Sequence, residues 1–396
     1  MRLLFLFSAI LEIVILAVLY LAGHKHVLAG MRLPDPLPKP LPNLPKAALI
    51  VPITGDTQAA RTGLDSLLSQ DYPDLAVVLV TRDEADPATP LARGLIAGKA
   101  LARHVLAGEA KNCGQKNHNL LAGVRAIGDA AEVYVFCDAT HLAKPNLVRL
   151  LLEPIAEGLA VLTGGYHRVV PGDFGLGTLG MLHVTLALHC LQPVRAITQP
   201  WGGAMAVTRE VFEKHGVAQV WARNIVDDYS MGPHLIKQGI RSWPVAQACL
   251  ETRLSGVTIA QWREWFFRQL QYLKFCTPET WLVSLPVVWS MGATPLMAVA
   301  GLGGWLLGLL PAWWALAGLG YLAAFSVMGL IFRTLSAKPV PAWAWTRAFF
   351  LSFLMTAWCY LRTWVSFKMS WRGIAYRVTW GGWVEEIIRP ETGPLP

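Results

Sequence analysis

Apolar and polar positions divide the chain into three zones. Residues 3–23, "LLFLFSAILEIVILAVLYLAG", form one apolar run, close to the ~20 residues a helix needs to cross a bilayer. The run exceeds the about 7–15-residue core of a signal peptide, and no small-x-small cleavage site follows it, so it reads as a retained anchor. Glu12 is its only acidic or basic residue and reads more readily as a protonated or snorkelling bystander than as the partner of another helix. From residue 24 to about 278 the chain is polar enough to be soluble, with nearly all the Asp and Glu. It turns apolar again over 281–332, long enough for two crossings with a turn near Pro311. A third stretch, 342–361, is rich in Trp and Phe.

Inside the middle zone the pattern changes period. "AALIVPI" (47–53) and "LAVVLVT" (75–81) are short continuous apolar runs, as expected of strands buried on both faces. Between them "TGLDSLLSQDYP" spaces Leu64, Leu67 and Leu68 as a helix does and stops before Pro73. "AEVYVFCDATH" repeats the plan, with a strand at 132–137 that delivers Asp138 to its end. Alternating strands and helices predict a mostly parallel α/β sheet, which binds ligands beyond the carboxyl ends of its strands. The expected organisation is an anchor (1–23), a Pro-rich extended spacer (24–46), a soluble α/β domain (47–255), an amphipathic interfacial helix (256–278), a helical membrane module (279–366) and a basic tail (367–396).

Composition sharpens this picture. Of 396 residues, 54% are hydrophobic, only 15% are charged and 17 are Trp, which excludes an ordinary soluble enzyme. His24, Lys25, Arg32, Lys39 and Lys46 follow the anchor against Arg2 before it, so the soluble zone belongs on the cytoplasmic face, of a bacterial inner membrane rather than an organelle. The tail is basic as well, so 342–361 is expected to lie at the interface or re-enter rather than cross. The net charge of +8 comes from 34 cations and 26 anions without a dominant cluster. That points to anionic headgroups and not to nucleic acid. The six cysteines are scattered without C-x-x-C spacing, which argues against a zinc site or a disulfide framework.

Two carboxylates, Asp227 and Asp228, stand side by side in "NIVDDYSMG". Adjacent anions repel and lose hydration in apolar surroundings, so the pair needs a reason. The same residues also read as the start of a helix, with Asp at its first turn. No G-x-G-x-x-G or G-x-x-x-x-G-K-[ST] occurs, so dinucleotide and P-loop readings are poor. Acidic residues at strand ends suit a metal–nucleotide site.

At this point the residues carry a resemblance. "SLLSQDYPDLAVVLVTRDEADPA", "GQKNHNLLAG", "VFCDATH", "WGGAMAVTREVFEKHG", "VDDYSMG", "RQLQY" and the terminal "SWRGIAYRVTWGGWVEE" come in the order seen in family-2-like inverting glycosyltransferases. They resemble most of all the family-21-like branch of ceramide glucosyltransferases. The resemblance covers roughly 47–275 and 370–386. It implies a GT-A type fold, a UDP-sugar donor, a membrane lipid acceptor (ceramide, with glucose transferred) and a divalent cation, Mg²⁺ or Mn²⁺. Carried over by position, Asp86 contacts the nucleotide with Asp83 beside it, Asp138 faces the diphosphate-bound metal, and Asp228 is the general base. Asp227 would raise the pKa of Asp228. Lys116 and Asn119 match a sugar- or phosphate-contacting segment, and Gly202 and Gly203 let backbone approach the acceptor or sugar. Arg268 opens the diphosphate motif.

Two departures matter. The motif's second Arg is Gln271 and its Trp is Tyr272, so diphosphate stabilisation is weaker or supplied elsewhere. The usual D-x-D keeps one carboxylate, with Thr140 in its last place and His141 a possible helper. The "QWREWFFRQLQYLKF" stretch also reads simply as an amphipathic interfacial helix, with Trp262, Phe266, Leu270 and Leu273 on one face. Rival functions are transfer to hopanoid or diacylglycerol, a processive polysaccharide synthase, and a non-catalytic nucleotide- or lipid-binding scaffold.

Overall fold

The computed structural model describes residues 1–32 and 43–389. Its centre is a seven-stranded sheet in the order β3-β2-β1-β4-β6-β5-β7. The strands are β1 (Ala47–Pro52), β2 (Ala76–Thr81), β3 (Ala102–Leu106), β4 (Val133–Cys137), β5 (Leu162–Pro171), β6 (Ala204–Thr208) and β7 (Trp243–Leu254). Neighbours run parallel except at β6, which is antiparallel to both β4 and β5. Alternate residues of β1 serve opposite cores. Leu49 and Val51 pack with Leu64, Leu67 and Leu151, and Ala48 and Ile50 with Leu120, Phe136 and Trp221. Burial on both faces is why the strand reads as an unbroken apolar run.

The crossovers carry α2 (Gln58–Leu67), α3 (Ala88–Ile96), α4 (Gln115–Ile127) and α5 (Leu147–Ala156). Then come α6 (Leu176–Leu191), the short α7 (Arg209–Lys214) and α8 (Val217–Trp221), and α9 (Asp228–Lys237). Because β6 runs against β4, the chain entering β6 meets the chain leaving β4. There the Asp138 N–H donates to the Gly203 carbonyl at 3.2 Å. The reversed strand therefore brings Gly202 and Gly203 to the same sheet edge as Asp138.

Helix α1 spans Arg2–Met31. Residues 24–31 are thus helical rather than spacer: no proline precedes Pro34, and His24 Nδ1 lies 3.1 Å from the Tyr20 carbonyl within the same helix. The Pro-rich stretch 33–42 lies outside the described residues. Glu12 is no bystander. It is 2% exposed and accepts a 2.6 Å hydrogen bond from Tyr321 Oη, so it pins α1 to the C-terminal module, where a buried carboxylate must find a partner.

Helix α10 (Ile259–Cys276) opens with a capping box between Thr258 and Gln261. Its aromatic face is not left for lipid. Trp262, Phe266 and Phe267 are buried against Val184 of α6 and Met355 and Cys359 of α14 (Ala342–Trp364). Between α10 and α14 lie α11 (Pro278–Val283), α12 (Leu285–Leu306) and α13 (Ala312–Arg333). Among the described residues, Arg2–Met31, Pro278–Leu306 (α11 and α12 together) and Ala312–Arg333 are three helical stretches long and apolar enough to cross a membrane. Helix α14 begins against the last turns of α13, where Trp345 Nε1 donates to the Gly329 carbonyl at 2.6 Å. It ends against α11, where Thr363 Oγ1 accepts from Trp281 Nε1 at 3.0 Å. Those are neighbouring ends of one antiparallel hairpin, so α14 lies across the pair as a continuous helix rather than as a broken re-entrant loop.

The C-terminal segment is not a loose basic tail. β8 (Lys368–Trp371), β9 (Ile374–Val378) and β10 (Val384–Ile388) form an antiparallel sheet. Its Met369, Ile374, Tyr376 and Val378 pack on Ile225, Val226 and Phe275. Its lysines and arginines lie on strands that flank a two-residue Arg372–Gly373 turn.

Candidate active site

The site is assembled by the start of α4. Gly114 places its amide 2.9 Å from the Asn224 carbonyl, and a Cβ there would fall 2.3 Å from the Ile225 carbonyl oxygen. The helix therefore begins in direct contact with the loop that carries Asp227 and Asp228. Asn117, fully buried, donates to the Asn224 carbonyl at 3.0 Å and locks the contact. Lys116 is then aimed at the sheet edge. Its Nζ lies 2.8 Å from Asp138 Oδ1 and 2.9 Å from Asp227 Oδ2, and donates to the Gly202 carbonyl at 3.3 Å.

This geometry explains how two adjacent carboxylates persist in so apolar a chain. Asp227, 1% exposed, is neutralised by Lys116. Burial works against the Lys116 charge, but Asp138, Asp227 and Asp228 together outweigh it and raise its pKa above the ordinary value. Among the described residues no cation forms a salt bridge with Asp228. Its Oδ2 accepts from the Gly202 amide at 2.9 Å and its Oδ1 from the Tyr229 amide at 2.7 Å, at the first turn of α9. Burial, then the charge of Asp227, push its carboxyl well above the usual carboxylate range, against the opposing pull of Lys116 and the two amides. One aspartate of the pair is thus held as a counter-charge and the other is a carboxylate of raised basicity.

Gly202 makes the arrangement possible. A Cβ there would lie 2.3 Å from Asp227 Oδ2 and 2.9 Å from its Cγ, well inside contact distance. Gly202→Ala is expected to displace the Asp227–Lys116 pair and the amide that holds Asp228. An ångström of misplacement should lower turnover by about 10²-fold, read as kcat, with the protein still folded by circular dichroism.

The other sequence-predicted residues divide. Tyr272 lies within reach of the charges of Arg268, Asp228, Asp227 and Lys116, and burial pushes its hydroxyl up to about 12. It stacks near Tyr229, ring centroids 6.4 Å apart. Arg268 shares that side of α10, four residues earlier. Gln271 does not. Its amide donates to Ser366 Oγ at 3.0 Å and to the Lys368 carbonyl at 2.8 Å, tying α10 to the C-terminal sheet. Asn119 is also turned away from the site, 3% exposed and accepting from Gln115 Nε2 at 2.8 Å. Asp86 is 4% exposed, and its oxygens accept from Thr54 Oγ1 at 2.6 Å and from the Gly55 and Ala88 amides at 2.9 Å each. Asp83 pairs with Arg82 at 2.6 Å and accepts from the Ala85 and Asp86 amides. These two aspartates shape the rim where β1 and β2 end. Gly203 contributes its carbonyl to the Asp138 amide.

Sequence reasoning missed an aromatic wall. Trp201 stacks on His167 with centroids 4.3 Å apart and planes 8° apart, and Tyr166 lies 5.4 Å from Trp201. Burial raises the hydroxyls of Tyr166 and Tyr229, and the charge of Asp228 adds to each. The only sequence signal was the Trp preceding the two glycines. His141 is turned toward Thr252 Oγ1 at 2.8 Å. His183 packs edge-on against Trp345 at 4.3 Å, a core histidine between α6 and α14.

For a divalent cation the donor set is thin. Asp138, 31% exposed at its side chain, has one oxygen on Lys116, and no group of three or more His, Cys, Asp or Glu gathers among the described residues. One carboxylate suits a hard cation held mainly by phosphate oxygens and water, arriving with a nucleotide. It does not suit a resident metal centre.

A family model described as glycosyl transferase family 21 matches residues 9–384. Among solved structures, the chain is 17% identical to a mannosyltransferase from Pyrobaculum calidifontis in complex with GDP-Man and Mn²⁺, covering 87% of this chain and 96% of that one at a TM-score of 0.48. It is 18% identical to glucosyl-3-phosphoglycerate synthase from Mycobacterium tuberculosis in complex with Mn²⁺ and UDP-glucose, covering 58% and 79% at a TM-score of 0.34. The same synthase with UDP gives 16% identity, the same coverage and a TM-score of 0.35. A comparison with curated proteins finds no match.

Proposed function

The chain belongs to glycosyl transferase family 21, and from that premise we propose that it moves glucose from UDP-glucose to a membrane lipid hydroxyl, that of ceramide, with inversion and with Asp228 as general base. Its seven-stranded sheet with the reversed β6 is the GT-A type arrangement. The observation that carries the reading is the division of labour in the aspartate pair, with Asp227 neutralised by Lys116 and Asp228 unpaired and raised in pKa.

In this mechanism the acceptor O–H gives its proton to Asp228 as its oxygen attacks the anomeric carbon. The bond from that carbon to the diphosphate oxygen breaks, and the nucleoside diphosphate leaves with the electron pair. Inversion requires the base and the leaving group on opposite faces of the sugar, so this reading assigns Asp228 to the acceptor side. Lys116 keeps Asp227 and Asp138 from repelling the incoming donor. Asp138 would hold a Mg²⁺ or Mn²⁺ ion arriving with the donor, and that ion would offset diphosphate charge. Asp86 and Asp83 shape the nucleotide rim. Gly202 and Gly203, with Trp201, Tyr166 and Tyr229, bound the acceptor side. The three apolar helical stretches of crossing length among the described residues support an acceptor that arrives from the bilayer, and this reading sets the catalytic domain on its cytoplasmic face and α14 at the interface.

The test is sugar transfer by the full chain in detergent micelles. UDP-glucose, UDP-galactose, UDP-N-acetylglucosamine and GDP-mannose are each offered with ceramide, diacylglycerol and hopanoid. Glucosylceramide is the expected product. Transfer to another lipid, or of another sugar, overturns the substrate assignment alone. A water-soluble polymer would favour a processive synthase, and nucleotide binding with no product from any pair would favour a scaffold.

A further inference from the structure

A leaving diphosphate carries several negative charges and needs more than one preorganised donor. Helix α10 leaves Arg268 for this, because Arg263 pairs with Glu264, Lys274 is bound to the Thr363 carbonyl and Gln271 is occupied with Ser366 and Lys368. The structure brings a second guanidinium from an unexpected place. Arg372 stands in the turn between β8 and β9, and its Nη1 donates to the Thr54 carbonyl at 3.1 Å. That contact sets it over the carboxyl end of β1, beside the turn in which Thr54 and Gly55 hold Asp86. The charges that act on Arg372 are those of Asp138, Asp86 and Arg268.

Two features of these arginines make no sense as packing. Among the described residues neither forms an ion pair with a carboxylate, and the Arg268 Nε–H is buried without an acceptor. Cations that converge unpaired repel one another, and an anion between them relieves both. The backbone adds an independent sign. Arg372 has φ of 47°, the left-handed region where a two-residue hairpin turn favours Asn or Gly. Strain of this kind is held where a side chain is needed in place.

We propose that Arg372 and Arg268 clamp the diphosphate of the nucleotide donor, Arg372 standing in for the cation that Gln271 does not supply. The clamp rests on the glycosyltransferase reading. It gives the C-terminal sheet a task in donor binding as well as in packing. The same sheet receives the Ile225 amide on the Gly382 carbonyl at 2.9 Å and gives the Val384 amide to the Arg223 carbonyl at 2.9 Å. Donor contact and the loop that carries Asp228 are therefore joined through one small element.

The experiment measures affinities of the full chain in detergent for UDP, UMP, GDP and GMP with Mg²⁺ present, in the wild type, Arg372→Gln, Arg372→Lys and Arg372→Gly. In the wild type the diphosphate should bind more tightly than the monophosphate. Arg372→Gln should lose about tenfold in diphosphate affinity while monophosphate affinity stays within about twofold, with Arg372→Lys between. Arg372→Gly should lose the same affinity yet unfold at a higher temperature, because the turn relaxes. A merely structural arginine would not separate these readouts. Variants that keep the full diphosphate preference overturn the clamp and leave the glycosyltransferase reading standing. A wild type that binds none of the four nucleotides overturns both.

Discussion

Replacing Asp228 by asparagine is expected to lower sugar transfer by about 10²–10⁴-fold, the usual contribution of a positioned general base, while nucleotide affinity is unchanged. Asparagine keeps the shape and one acceptor oxygen, so the Gly202 or Tyr229 amide can still hold the side chain; what disappears is the basic oxygen. The pH profile gives the sharper readout. Because burial and Asp227 raise the Asp228 pKa, the base is protonated, and the rate lost, as pH falls through a value well above the ~4 of an ordinary aspartate. The wild-type kcat/KM should therefore rise with pH along a unit-slope limb, and the residual rate of Asp228→Asn should lack that limb. Asp227→Asn should move the limb to lower pH, since it removes the like charge while Lys116 still acts on Asp228. A limb that survives in Asp228→Asn would remove Asp228 from the role of base.

Much of the catalytic domain was legible because its strands are buried on both faces. Runs such as "AALIVPI" admit few other readings, and the strand pattern by itself set Asp138 at a strand end. The Asp–Asp pair was legible as an anomaly, since charge is scarce in this chain. Helix faces were harder to read. Lys116 and Asn119 lie three apart, yet Asn119 shares its face with Gln115, four residues before it, and their mutual hydrogen bond turns both away from the site. On α10 the four-residue spacing of Arg268 and Tyr272 held them together, whereas Gln271 fell in with Lys274. Lys274 is itself 2% exposed and donates to the Thr363 carbonyl at 2.6 Å. Spacing names a face, but only packing says which neighbour that face meets. Long-range chain reversal was harder still. Nothing near residue 372 signals that it meets Thr54, and the same charges that suggested a tail in water serve a folded sheet. Glu12 misled for a related reason: its partner Tyr321 is 309 residues away.

Lys116→Met should produce the largest loss of stability of any single change at the site. The lysine is the only cation in salt-bridge contact with Asp138 and Asp227 among the described residues, and its removal leaves Asp227 charged, 1% exposed and without its partner. Breaking a buried pair from one side costs about 3–5 kcal/mol, because an uncompensated charge stays behind. The three carboxylates would then repel one another and any incoming diphosphate, so transfer should fall below detection together with donor affinity. A lower thermal midpoint by itself would fit the loss of any well-packed side chain. The double variant Lys116→Met/Asp227→Asn separates the cases. If the defect is electrostatic, neutralising the orphaned aspartate recovers most of the lost stability, a strongly non-additive outcome for two residues in contact. Activity should not return, since the double variant still lacks the cation that holds Asp138 and faces the donor. Additive losses of stability would instead mean that Lys116 acts through packing, and charge neutralisation would no longer explain why two adjacent aspartates are tolerated.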